Sequence, residues 1–396
     1  MAVKIVRQSN KIIVLGSPTS AAAISAGHEG APAALRSAGL LDRLRSIGYE
    51  VEDFGNDPVQ LSRPDEESPR ARNISGVLAS LNALKPRVEL AVKAAALPLI
   101  LGGDCSVVLA TIAGVRRYYR NVGLIYMDHD ADLHTPATTA SGSLDGMVIS
   151  HVTGRGAAEL VRFWSEPPLV RDPDVALFGV ARLDPAEREL LERSTLRRYL
   201  AADVQRMGAA VAARTAIERI HGEKNEFVLH IDVGVISGFA ATNYPSEGGL
   251  NLDDVRATLH VFATQAHLAA IDVAAYNPAK DPDGSGAKLV IDLLAEVLAR
   301  RLEALKSVSA PAEGNPPSVA PKSEPTAVPT EEPALAPSAP EPGAGIATSA
   351  SPDAPAEASS SESGNSSDGD AQSPEPESPK KQPGDDSAKN SDESIS

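Results

Sequence analysis

Short apolar runs recur along the first 300 residues, each closed by a turn signal and followed by a segment of helical period. Residues 11–16, Lys-Ile-Ile-Val-Leu-Gly, predict a buried first strand that ends in the turn Ser17-Pro18-Thr19-Ser20. A helix is predicted to start near Pro32, a residue tolerated in the first turn, and a second helical piece covers 40–47. Residues 49–54 alternate as a short strand, and 62–72 form a charged, proline-containing loop. The amphipathic stretch 74–96 predicts a long helix, with a break or kink at Pro86. Strands at 97–101 and 122–127 flank a helix over 107–119. Further strands fall at 174–180, 227–233 and 270–274, with helices at 184–194, 252–270 and 288–306. This alternation predicts an α/β fold whose mostly parallel sheet is covered on both faces. Such sheets carry their functional loops at the carboxyl ends of the strands.

Composition changes the picture beyond residue 306. Residues 307–396 hold 16 of the 53 acidic side chains and only four lysines, so they carry −12 of the formal net charge of −16. They contain no Phe, Tyr or Trp. Such a Pro/Ser/Ala-rich segment cannot bury enough apolar surface to offset its chain entropy, and a disordered acidic tail is expected. Residues 1–306 are the globular part, rich enough in Ala, Val, Leu and Ile for one large core. Their mildly acidic balance argues against nucleic-acid binding. No run of eighteen apolar residues predicts a membrane span, and the amino terminus has no long apolar core typical of a signal peptide. The single cysteine, Cys105, excludes an intrachain disulfide framework and fits a reducing, cytoplasmic compartment.

Polar residues gather at the predicted strand ends. One end offers Asp104, Cys105 and Ser106, a second Asp128, Asp130 and Asp132, a third His230 and Asp232. If strand geometry persists past Met127, the three aspartates of Asp128-His129-Asp130-Ala131-Asp132 share one face and His129 takes the other. Three like charges on one side need protons or cations. The competing reading is a polar loop whose aspartates cap a helix and face water. Oxygen-rich ligation of this kind suits Mn²⁺ or Mg²⁺ more than Zn²⁺. His230 reads as a strand histidine bonded to backbone, with a supporting role beside the metal ligands as the alternative.

In order and spacing these motifs resemble the ureohydrolase superfamily of arginases, agmatinases and formimidoylglutamases, from Ile12 to about Leu298. Gly102-Gly103-Asp104-Cys105-Ser106 is similar to the family's Gly-Gly-Asp-His-Ser, and Asp128-His129-Asp130-Ala131-Asp132 to Asp-Ala-His-x-Asp. Ser141-Gly142-Ser143-Leu144-Asp145-Gly146-Met147 is similar to Ser-Gly-Asn-Leu-His-Gly-Met. Asp232-Val233-Gly234 resembles Asp-Val-Asp, and the stretch from Asp272 to Asn277-Pro278 a strand ending Glu-Val-Asn-Pro.

The resemblance implies a three-layer α/β/α fold with a dimanganese site. It also implies hydrolysis of a small-molecule guanidino or formimino C–N bond by a metal-activated hydroxide, and a homo-oligomer. Carried over residue by residue, it makes Asp128, Asp132 and Asp232 metal ligands unchanged, with Asp130 and Cys105 where histidine ligands are usual. Cys105 is either a thiolate ligand or a buried inert thiol. Gly234 replaces a carboxylate ligand and weakens the second ion's site. Asp145 stands where arginases place a proton-shuttling histidine, so it is the catalytic candidate. His134 and Ser143 stand where arginases use asparagines to contact the substrate, and Ala275 where a glutamate grips the guanidinium. These departures leave a second function open, a catalytically impaired metal- or ligand-binding or scaffold relative.

Overall fold

The computed structural model describes residues 7–220 and 226–309. The predicted tail lies outside the described residues from position 310 onward. Eight strands form one sheet: β1 (Lys11–Gly16), β2 (Glu50–Asn56), β3 (Leu97–Leu101), β4 (Val122–Met127), β5 (Val175–Val180), β6 (Arg197–Leu200), β7 (Glu226–Asp232) and β8 (Leu268–Ala274). Their order is β2-β1-β3-β8-β7-β4-β5-β6, and every pairing is parallel.

The central strands β3, β4, β5 and β8 are buried along their whole length, so helices must cover both faces. Ile74–Lys93 packs on Val107–Arg116, and Ala209–Ile220, Leu252–Ala263 and Ser285–Ser309 supply further cover. The three-layer α/β/α arrangement follows. Among the described residues no helix is long and apolar enough to cross a membrane.

Two local expectations change. Ile74–Lys93 runs through Pro86 without interruption. Pro86 and Asn82, whose carbonyl loses its helical partner, are both exposed, so that carbonyl is not trapped in the core. The edge strand β6 is absent from the sequence reading, because Arg-Arg-Tyr-Leu has no apolar run and only Tyr199 of it is buried.

The topology puts β3, β8, β7 and β4 side by side, so the ends of β3, β4 and β7 open on one edge. Gly103 lets the loop after β3 close against the loop after β1. A Cβ there would lie 1.7 Å from the Thr19 carbonyl oxygen, so only glycine fits. Asp104 seals that junction by accepting the Ala22 N–H at 2.9 Å.

Candidate active site at the carboxyl edge of the sheet

All eight candidate residues line one cavity of about 340 Å³: Cys105 after β3, Asp128, Asp130, Asp132 and His134 after β4, Ser143 and Asp145 in the following loop, and Asp232 at the end of β7. At its floor, ligand atoms of Cys105, Asp128 and Asp132 lie within 4.8 Å of one another, and all three residues are buried. The Cys105 thiol points at Asp232 Oδ2, 3.0 Å away. Asp145 Oδ1 accepts the Cys105 backbone N–H at 2.9 Å.

Strand geometry does not persist past Met127, which corrects the expected facing of this motif. β4 stops there, and Asp132 takes a left-handed backbone with φ of 49°, a conformation aspartate tolerates better than most residues. Asp128 and Asp132 therefore meet at the floor while Asp130 turns towards Arg182, whose Nε donates to Asp130 Oδ1 at 2.6 Å. His129, expected on the opposite side, lines the same cavity. Its Nδ1 lies 3.2 Å from Asp128 Oδ1 and its Nε2 3.4 Å from Asp130 Oδ2.

The substrate candidates are also engaged. His134 Nε2 lies 3.0 Å from Asp184 Oδ2. The Ser143 hydroxyl donates to the Ala22 carbonyl at 2.7 Å, so it keeps only acceptor capacity towards the cavity. Asp184, Glu187, Arg182 and Tyr244 complete the wall and were not singled out from sequence. Asp184 caps Pro185–Arg193 by accepting the Glu187 N–H at 2.8 Å, and Glu187 accepts the Asp184 N–H in return. The sequence places a helix over 184–194. It gives no sign that the cap faces a cavity. His134, Asp184 and Glu187 form a second, shallower group with metal-ligand spacing.

Burial dominates the electrostatics. It pushes the Asp132 carboxyl well above the usual range, reinforced by Asp128, Asp145 and Asp130. Asp145 is raised likewise, by burial and then by Asp104. Asp232 is pushed up to about 7 by burial and Asp128. The Cys105 thiol rises for the same reasons, burial first and then Asp232. Burial pulls the His129 imidazole down, but Asp128, Asp130 and Asp232 outweigh it and hold it at about 9. An acid held above its unfolded value near 3.9 contributes stability below that pH and loses it as pH rises through the folded value. A raised histidine loses its contribution in the same direction, through about 9. The metal-stripped protein is therefore expected to lose thermal stability steadily between pH 5 and 9. A divalent cation that binds these carboxylates would restore more at pH 8 than at pH 6, because its binding displaces protons. Thermal melts across that range with and without EDTA check this, and a rising Tm for the stripped protein contradicts it.

Below the floor, Tyr126, His230 and Asp272 occupy one register row across β4, β7 and β8. The Tyr126 and His230 rings stack with centroids 4.3 Å apart, and Tyr126 donates its hydroxyl to Asp132. His230 bonds Asp272 through Nδ1, which replaces the expected backbone partner because the register sets these two side chains opposite each other. His230→Leu leaves the Asp272 carboxylate buried and unpaired, and a loss of about 3–5 kcal/mol in denaturant unfolding is expected. The double replacement with Asp272→Leu should recover most of it.

A model of the Arginase family matches residues 10–299. The arginase of Brevibacillus brevis is 28% identical over 291 residues, covering 73% of this chain and 98% of its own. The crystal structure of the Bacillus cereus arginase superposes with a TM-score of 0.68 at 26% identity, over 73% of this chain and 98% of that one. The formimidoylglutamase of Bacillus subtilis shares the fold, with a TM-score of 0.60 at 15% identity over 77% and 88%. The eight-stranded parallel sheet, the carboxylate cavity at its carboxyl edge and the match over most of the chain agree: this protein belongs to the arginase family of ureohydrolase enzymes.

Proposed function

We propose that the protein is a divalent-metal-dependent hydrolase of a linear C–N bond, guanidino or formimino in type, with Mn²⁺ as its ion and with the second ion position weakened by Gly234. One observation supports this most: seven carboxylates, from Asp128 to Asp232, line a single cavity against one arginine. So much buried negative charge calls for protons or cations and favours a substrate whose reacting group is an amidine or guanidinium. Cys105, Asp128, Asp132 and Asp232 fit one ion, since all are buried and the cysteine, with its raised pKa, becomes a ligand on losing its proton.

The ion supplies Lewis acidity and activation of water when bound. The chain's own groups do the rest. Asp145 keeps Oδ1 on the Cys105 N–H and holds a proton on its other oxygen for the leaving amine. Ser143, its hydroxyl hydrogen committed to Ala22, accepts a substrate N–H. Asp184 and His134, paired with each other, wall the mouth where His134 contacts the far end of the substrate. Ala275 is buried, and its backbone N–H is bound to the Gly103 carbonyl, so no carboxylate clamps a guanidinium from that side. Ordinary arginine specificity is not expected.

Metal analysis coupled to a screen of guanidino and formimino compounds tests the proposal. Urea or ammonia release that EDTA abolishes and Mn²⁺ restores is the expected result. A tightly held ion with no turnover of any compound favours the second reading, a catalytically impaired metal- or ligand-binding relative, which Gly234 supports.

A further inference from the structure

We propose that the site is built for a single metal ion, with the imidazole ring of His129 standing where the family's second ion would sit. This rests on the reading of the cavity as a metal site and sharpens it from a weakened second position to a filled one.

The floor set gathers Cys105, Asp128 and Asp132 around one point, with Asp232 at contact distance from the thiol. A second ion would share Asp128 and Asp232 and need further donors from positions 130 and 234. Neither position supplies one freely. Gly234 offers only its backbone N–H, which donates to Asp232 Oδ1 at 2.5 Å, a donor where an acceptor is required. The Asp130 carboxylate is gripped by both ends of the Arg182 guanidinium fork, which brings a positive charge to the oxygens a cation would need.

His129 fills the gap that remains. One ring nitrogen faces each carboxylate, Nδ1 at 3.2 Å from Asp128 and Nε2 at 3.4 Å from Asp130, so the ring spans the space an ion shared by the two would occupy. The residue is 2% exposed, and neither nitrogen makes an aligned hydrogen bond. A Cβ built on Gly234 would lie 2.9 Å from His129 Cε1 and Nδ1, closer than real side chains approach. The ring and any side chain at 234 compete for the same volume. The two departures are therefore one change. Where the family pattern has a small residue at 129 and a carboxylate at 234, this chain has a ring at 129 and no side chain at 234. Close packing requires such exchanges to occur together. Restoring the carboxylate alone does not reopen the site, because the ring blocks it.

The test is Mn²⁺ stoichiometry. Full-length protein is stripped with EDTA, titrated with Mn²⁺ and read by elemental analysis and electron paramagnetic resonance. About one ion per chain with an uncoupled six-line manganese spectrum is expected for the wild type and for Gly234→Asp. The double variant His129→Ala/Gly234→Asp is expected to take about two, with the spectral broadening of a coupled pair. Two ions in the wild type overturn the single-ion inference and leave the hydrolase reading standing. No ion in any form overturns the metal-site reading itself. A soluble, folded double variant that stays at one ion shows that His129 is not what excludes the second. The wild-type measurement decides the stoichiometry even if a variant fails to fold.

Discussion

Asp128→Asn is expected to strip the protein of its ion, lower kcat/KM by at least ~10³-fold, and, above about pH 9, make the metal-free protein more stable than the wild type. The first two effects follow from position. Asp128 is buried at the centre of the floor set with Cys105 and Asp132, and it is the nearest carboxylate to His129. In the proposed metal site, the loss of a directly ligating charge costs more than the 10–100-fold typical of groups that only support ligands. The third effect follows from repulsion. Asp128 contributes to raising Asp132, Asp145, Asp232 and the Cys105 thiol. Once those groups ionise and His129 loses its proton near 9, removing that charge relieves the repulsion. At neutral pH it gives up the pairing with the His129 imidazole instead. Asparagine keeps the shape and an oxygen for the Asp130 N–H, now 3.0 Å from Asp128 Oδ1. A higher Tm than the wild type is expected for the EDTA-treated variant above about pH 9, and no such gain at pH 7. Parallel melts and metal analysis read both effects. A variant that keeps its ion and its activity would move the metal to the mouth, onto His134, Asp184 and Glu187.

Part of this cavity was legible in the sequence, and part depends on contacts that only the fold makes. Strands β3, β4 and β7 announce themselves as short apolar runs because they are buried almost throughout, and a cavity-lining residue at such a strand's end is found by reading to the end of the run. Cys105, Asp128 and Asp232 come out this way. The two-residue period stops carrying information where the strand stops. Extrapolating it past Met127 put His129 on the wrong side and gave Asp130 the facing of Asp128, whereas the left-handed turn at Asp132 sets both. Asp184 is visible only as the start of a helix. Its partner His134 lies fifty positions earlier, and no local pattern joins them. The pairing of His230 with Asp272 is hidden for the same reason, since it depends on the register of β7 against β8. Local chemistry was readable; contacts made across the sheet's edge needed the fold.

Asp145→Asn is expected to lower kcat by about 10²–10⁴-fold while leaving metal content unchanged. Asparagine retains an oxygen to accept the Cys105 N–H, which Asp145 Oδ1 now accepts at 2.9 Å, so the cysteine stays in place. What it loses is the exchangeable carboxyl proton. The proton is held chiefly by burial and then by Asp104, with Asp232 and Asp128 as lesser contributors. The wild type should accordingly show a fall in kcat at high pH, as Asp145 loses its proton, and the variant should lack that limb. Asp145→Ala separates proton transfer from positioning, because it removes the acceptor for Cys105 as well. If Asp145 only positions Cys105, asparagine should be almost fully active and alanine should lose the ion. If it moves the proton, asparagine should be as slow as alanine while keeping its metal.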